Sequence, residues 1–189
     1  MLHEPHVVGR KRRDFLGMAA AGAGVALSGV STGASMAKAA TTGERRLSFY
    51  SLNTGESLST VFWRDGRLLP DRLAEIDHHL RDFRTGDVRS IDPGLLGLLH
   101  RLTSVMGYDQ PIHVISGYRS PKTNAMLAKR SGGVARKSYH LLGMAIDIRL
   151  PERRLEALRD AALGLQGGGV GFYPKSNFVH VDTGPVRRW

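Results

Sequence analysis

Residues 144–150 and 178–182 alternate apolar and polar side chains so regularly that each must be a strand with one face against a core. In the first, Met144, Ile146, Ile148 and Leu150 point one way, and Ala145, Asp147 and Arg149 the other. In the second, Val179 and Val181 oppose Phe178, His180 and Asp182. Pairing the two strands brings Asp147, His180 and Asp182 over one space outside the core. His140 lies at the turn just before the first strand, where Gly143 lets the backbone bend without a side-chain clash. That turn can bring it to the same space.

Two imidazoles and one carboxylate, in a chain of 189 residues without a single cysteine, make the ligand set of a zinc ion that keeps a position open for water and substrate. His140, Asp147 and His180 are therefore candidate metal ligands, and the chain reads as a metallohydrolase. The lack of cysteine also excludes disulfide staples, so folding must rest on core packing.

The first forty residues read as an address. Lys11-Arg12-Arg13-Asp14-Phe15-Leu16 has the form of a twin-arginine export signal, followed by an Ala/Gly-rich apolar run over 15–30 and an Ala37-Lys38-Ala39 cleavage pattern. The expectation is a signal peptide over 1–39, removed after Ala39, and one domain over 40–189 acting in the periplasm. A retained membrane anchor is the alternative, but the run is short and interrupted by glycines. Net charge is +10, of which +3 falls in the first forty residues, leaving a basic domain suited to anionic partners. No nucleic-acid-binding motif accompanies that charge, and export carries the chain away from DNA.

Within the domain, residues 47–52 and 58–63 flank Asn53-Thr54-Gly55-Glu56 as a hairpin, and Asp65-Gly66 points to a third short strand. Leu73, Ile76, Leu80 and Phe83 predict a helix over 71–84. Asp92 as cap and Pro93 in the first turn start a second, with Leu95, Leu99, Leu102 and Met106 inward. Residues 111–116 read as a buried strand. Ser120-Pro121 opens a third helix through Arg130, with Met126 and Leu127 inward, and Pro151 a fourth, with Leu155, Leu158 and Ala162 inward. Gly167–Gly169 is a loop, and residues 170–173 and 178–182 form a hairpin across 174–177. The class is α+β, with helices packed on a mostly antiparallel sheet.

The pattern Ser138-x-His140-x-x-Gly143-x-Ala145-x-Asp147, followed by a strand histidine, resembles the zinc peptidases that cleave D-amino-acid peptides of bacterial peptidoglycan. These include the D-Ala-D-Ala carboxypeptidases and dipeptidases, which share a fold with the hedgehog signalling domain. Ser116-Gly117-Tyr118-Arg119-Ser120 and the ending from Phe178 to Trp189 are most similar to the murein endopeptidase K group, and the likeness spans the whole chain after the signal. The resemblance implies that His140, Asp147 and His180 hold Zn²⁺ and that the substrate is a peptidoglycan stem peptide. It also implies that Arg119 holds a substrate carbonyl or carboxylate and stabilises the developing oxyanion. The implied bonds are peptide cross-links, including those joining two meso-diaminopimelate residues.

One departure stands out. Many relatives carry an acidic or histidine base two or three residues before the last ligand, where this chain has Phe178 and Asn177, neither able to act as one. Asp182 is the nearest carboxylate on the ligand face, about 6.5 Å along the strand. It orients His180 by accepting its second N–H or, alternatively, passes the proton. Two other functions stay open: a carboxypeptidase trimming terminal D-Ala, and a non-catalytic zinc module binding the cell wall. Ser120 is expected as a helix cap, Ser138 as a support for its loop, and Tyr139 as groove lining or packing. His78 and His79 are read as surface and boundary residues, His100 as solvated, and His113 as structural. Arg187-Arg188-Trp189 either touches glycan or peptide or docks on the domain.

Overall fold

A computed structural model describes residues 43–130, 135 and 137–189; the export signal expected over 1–39 lies outside them. Eight strands form one sheet: β1 Arg45–Ser51, β2 Ser57–Arg64, β3 Arg67–Leu68, β4 Ile112–Ser116, β5 Ala145–Arg149, β6 Gly169–Tyr173, β7 Phe178–Asp182 and β8 Arg187–Arg188. Their order is β3-β2-β1-β4-β5-β7-β6-β8. All neighbours are antiparallel except β1 with β4 and β6 with β8. The helices are α1 Pro70–His79, α2 Pro93–Val105, α3 Pro121–Arg130 and α4 Leu155–Gly164. The expected α+β class is what the chain adopts. No helix among the described residues is long and apolar enough to cross a membrane.

One apolar cluster joins Phe49, Ile112, Ile146, Ile148, Val179 and Val181 of the sheet to Ile76 of α1, Leu95, Leu99 and Leu102 of α2, and Leu158 and Ala162 of α4. Each fully buried Leu, Ile or Val there contributes about 1.5–3 kcal/mol. The cap on α2 forms as the sequence indicates, with Asp92 Oδ1 accepting the Gly94 N–H at 2.9 Å and Pro93 at the first turn. Asp92 also ties the helix to the rest: its N–H donates to Gly143 O at 2.9 Å, and its Oδ2 accepts the Thr183 hydroxyl at 2.6 Å.

Three expectations are corrected. The first helix stops at His79 instead of Arg84, because the chain finds better partners outside the helix. Tyr118 N–H donates to Leu80 O at 2.8 Å, and Asp82 turns inward to accept Ser120 N–H at 2.8 Å and Arg84 N–H at 3.0 Å. Leu80 still reaches the core, whereas Phe83 is only half-buried. The fourth helix starts at Leu155, since Pro151 opens a turn in which Glu152 takes a left-handed φ of 62°. In α3 the buried residues are Thr123 and Asn124, with Met126 and Leu127 half-buried. The short strand β8 was not expected; two residues carry no readable alternation.

Candidate functional site

Pairing of β5 with β7 sets Asp147 directly opposite His180, while Ile146 and Ile148 face Val181 and Val179 on the core side. His140 enters from a single turn of 3-10 helix, Tyr139–Leu142, capped by Ser138, whose Oγ accepts the His140 N–H at 3.4 Å. Gly143 ends the turn with φ 70°. A Cβ at that position would strike Ser90 O, so the bend next to His140 needs glycine twice over.

The three groups converge. His180 Nδ1 lies 2.9 Å from Asp147 Oδ1; His140 Nε2 lies 3.2 Å from that oxygen and 3.2 Å from His180 Nδ1. All three residues are buried, and they are the one set of three among the described residues placed so that it can hold a metal ion. Each imidazole is oriented from behind. His140 Nδ1 is 2.7 Å from Gly117 O, so that nitrogen carries the proton and donates it, which leaves the Nε2 lone pair facing Asp147. His180 Nε2 donates to Asp182 Oδ2 at 2.9 Å, which leaves Nδ1 facing the same point. Two imidazole lone pairs and a carboxylate oxygen thus meet with no donor between them, an arrangement that calls for a cation.

Burial alone would raise the Asp147 carboxyl, but its setting between His140 and His180 outweighs burial and holds the group far below the usual carboxylate range, so the oxygen between the rings is an ionised one. Asp182 is fully buried and is likewise pulled far down: burial opposes this, and His180, Arg187 and the N–H groups of Gly184 and Gly169 prevail. Asp182 Oδ1 accepts Gly169 N–H at 3.1 Å and Gly184 N–H at 2.8 Å, and Arg187 grips both oxygens at 3.0 and 2.7 Å. Both oxygens of Asp182 are thus engaged behind His180.

The trio lies in an open cleft of about 370 Å³ whose walls include Arg119, Lys137, Tyr139, Tyr173, Phe178 and Trp189. Arg119 is 8% exposed; its Nη2 is 3.4 Å from both Asp147 Oδ2 and Ser116 Oγ, contacts at the weak limit, and its Nε is buried without a partner. Its guanidinium therefore keeps donors in hand. Asp147 is the only carboxylate among the described residues lining the cleft. Phe178 stacks on Tyr173 with centroids 4.5 Å apart. Tyr139 both lines the cleft and packs against Arg187.

The remaining candidates fall elsewhere. Ser120 Oγ accepts Thr123 N–H at 3.2 Å, a cap on α3. His78 is exposed and His79 buried against Phe49; His113 sits against Tyr50, and His100 is half-buried against Phe62 where full solvation was expected. None of the four lines the cleft. Two supporting groups escaped the sequence reading. Asp82 pins Ser120 beside Arg119, and Arg187 pins Asp182; both act on residues far away in sequence or across a tight turn, and neither carries a spacing signal.

Comparison with known proteins adds the decisive observation: the family model described as peptidoglycan L,D-endopeptidase MepK matches residues 39–189. The chain belongs to the MepK family. It is similar to the peptidoglycan L,D-endopeptidase MepK of Escherichia coli (strain K12) and to that of Shigella flexneri, each 46% identical over 172 residues, covering 87% of this chain and 94% of the relative. It is also similar to the probable peptidoglycan L,D-endopeptidase MepK of Haemophilus influenzae, 44% identical over 155 residues, 82% of this chain and 83% of the relative. The MepK likeness covers every residue of the cleft named above.

Proposed function

We propose that this chain is a zinc-dependent peptidoglycan endopeptidase that cuts peptide cross-links of the cell wall, with His140, Asp147 and His180 as the metal ligands. The observation that carries the reading is the meeting of two imidazole nitrogens and a carboxylate oxygen within 2.9–3.2 Å of one another, in an open cleft that also holds Arg119. Ligands about 2.0–2.1 Å from a tetrahedral zinc lie about 3.3 Å apart, close to the 2.9–3.2 Å spacings here. Two neutral imidazoles and a carboxylate also suit zinc better than the oxygen-seeking magnesium or calcium. Family membership and the printed names of the relatives support the substrate class.

A zinc ion bound there supplies Lewis acidity for a peptide carbonyl and a nucleophile drawn from water at neutral pH. The protein does the rest. Arg119 offers its planar donors to the scissile carbonyl oxygen and holds the negative charge that grows on it. Gly117 O and Asp182 keep the imidazoles turned toward the reaction centre, which removes a reorganisation cost from the barrier. Asp182 acts as a positioning residue, because its oxygens are committed to Arg187, Gly169, Gly184 and His180. Arginines along the cleft and a positive surface favour stem peptides, whose free carboxylates are anionic. The place of action that follows is the periplasm, with the twin-arginine signal as the route.

Purified sacculi digested with metal-loaded protein test this reading directly. Loss of cross-linked dimers with gain of monomers is the expected product pattern. Release of single alanines would make the protein a carboxypeptidase, and retention on sacculi without any change of composition would make it a binding module.

A further inference from the structure

The segment Arg187–Trp189 crosses the site in a way that the chemistry above does not use. β8 runs parallel to β6, registering Gly169 with Arg187 and Val170 with Arg188, and Trp189 N–H donates to Val170 O at 3.2 Å. The indole then folds over Gly171, the residue paired with His180 across β6 and β7. Its ring centroid is 5.2 Å from that of His180, and its Nε1–H donates to the Tyr173 hydroxyl at 2.7 Å. A Cβ on Gly171 would come within 2.7 Å of the indole, so the missing side chain is the seat of the ring. Gly184 does the same for Tyr139, whose ring its Cβ would strike. Between these two seated rings lies the Arg187 guanidinium, 5.1 Å from the Tyr139 centroid and 4.9 Å from that of Trp189, with both oxygens of Asp182 in its fork.

Two residues of one strap therefore meet the cleft differently. Arg187 has its fork committed to Asp182 and stands two bonds of contact behind the His180 ring. Trp189 is 50% exposed and lines the cleft, held at its tip by Tyr173 and at its ring by Gly171 and Arg187. An aromatic ring held in place beside the cleft can take an extended peptide against its exposed surface.

We propose that Arg187 is a positioning residue that fixes His180 through Asp182, and that Trp189 is a specificity residue against which the backbone of an anionic, cross-linked peptide lies. The second half rests on the endopeptidase reading; the first rests only on its metal ligands. Arg187 holds the carboxylate bidentately, the carboxylate holds Nε2–H, and Nδ1 is thereby aimed at Asp147. Trp189 touches nothing that moves a proton, so its contribution is to binding.

The two roles separate on a kcat-against-KM split with purified muropeptide dimers. Arg187→Gln is expected to lower kcat about 10- to 100-fold with KM near that of the wild type, and to weaken zinc retention by a similar factor in chelator competition. Arg187→Lys, which keeps charge but loses the fork, should recover only part of both and covers the case in which the first variant folds poorly. Trp189→Leu should raise KM about three- to tenfold and leave zinc retention unaltered, and Trp189→Phe should restore most of the KM. Wild-type zinc retention and kcat in both Arg187 variants would overturn the positioning role; a wild-type KM in Trp189→Leu would overturn the platform. If the wild-type protein cuts no dimers at all, the endopeptidase reading falls by itself. Chelator competition still decides Arg187 in that case, and retention of Trp189→Leu on sacculi, equal to or weaker than wild type, decides Trp189.

Discussion

The two faces of β5 and β7 are made from the same ten residues, yet they obey opposite rules. On one face Ile146, Ile148, Val179 and Val181 are buried against the helices, and what matters is volume. On the other, Asp147, His180 and Asp182 are almost as buried, and what matters is where each proton and lone pair points. Burial alone does not tell a core from a site; the partners do. A buried polar group without them costs about 1–3 kcal/mol, so His180 has been given the Asp182 carboxylate, and Asp182 in turn two backbone N–H groups and an arginine.

Substitutions on the two faces should part company. His140→Ala is expected to cost about a thousandfold or more in dimer cleavage, since it removes a proposed metal ligand, with only a modest fall in melting temperature measured on metal-free protein. An active His140→Ala would break the contrast outright. On the core face, Ile148→Ala should lose about 2–5 kcal/mol in denaturant unfolding while cleavage per folded molecule stays within about twofold. Asp182→Asn belongs between them, because it keeps shape but cannot satisfy both Arg187 and His180. Zinc affinity by chelator competition should drop about 10- to 100-fold, with some loss of stability. The smallest effect concerns Asp82, away from both faces. Its carboxyl lies below the usual value, burial being outweighed by hydrogen bonds from Thr123, Ser120 and Arg84. A depressed carboxylate contributes stability above its unfolded pKa of about 3.9 and loses it as pH falls through the lower folded value. Asp82→Asn should therefore unfold about 1–3 kcal/mol more easily at pH 7, and the gap should close below about pH 4; a gap independent of pH would deny the carboxylate its part.

How much of this was legible beforehand follows from range. The alternation in residues 144–150 and 178–182 gave both strands and the facing of Asp147 with His180, because a period of two is a local property. Gly143 was readable as a bend for a similar reason. The end of α1 was not, since Leu80 and Phe83 keep helical spacing while the competing partners, Tyr118 and Ser120, lie almost forty residues on. Asp182 was visible on the ligand face, but the choice between base and orienter depends on Arg187, Gly169 and Gly184 closing around it. Trp189 lacked any pattern until Gly171 and Gly184 could be seen as seats for aromatic rings. Contacts between distant residues, each singly placed, leave no periodic trace.

Asp92 couples the site to the interior. One carboxylate and its own amide fasten the first turn of α2 to Gly143 beside His140 and to Thr183 beside Asp182. The ligand-bearing turn thus cannot breathe on its own, for any opening must also fray a helix whose leucines anchor the interior. Amide hydrogen exchange at Gly94, Asp92 and Thr183 should accordingly report a single shared opening event, which makes this corner as slow to yield as the protein's most protected interior.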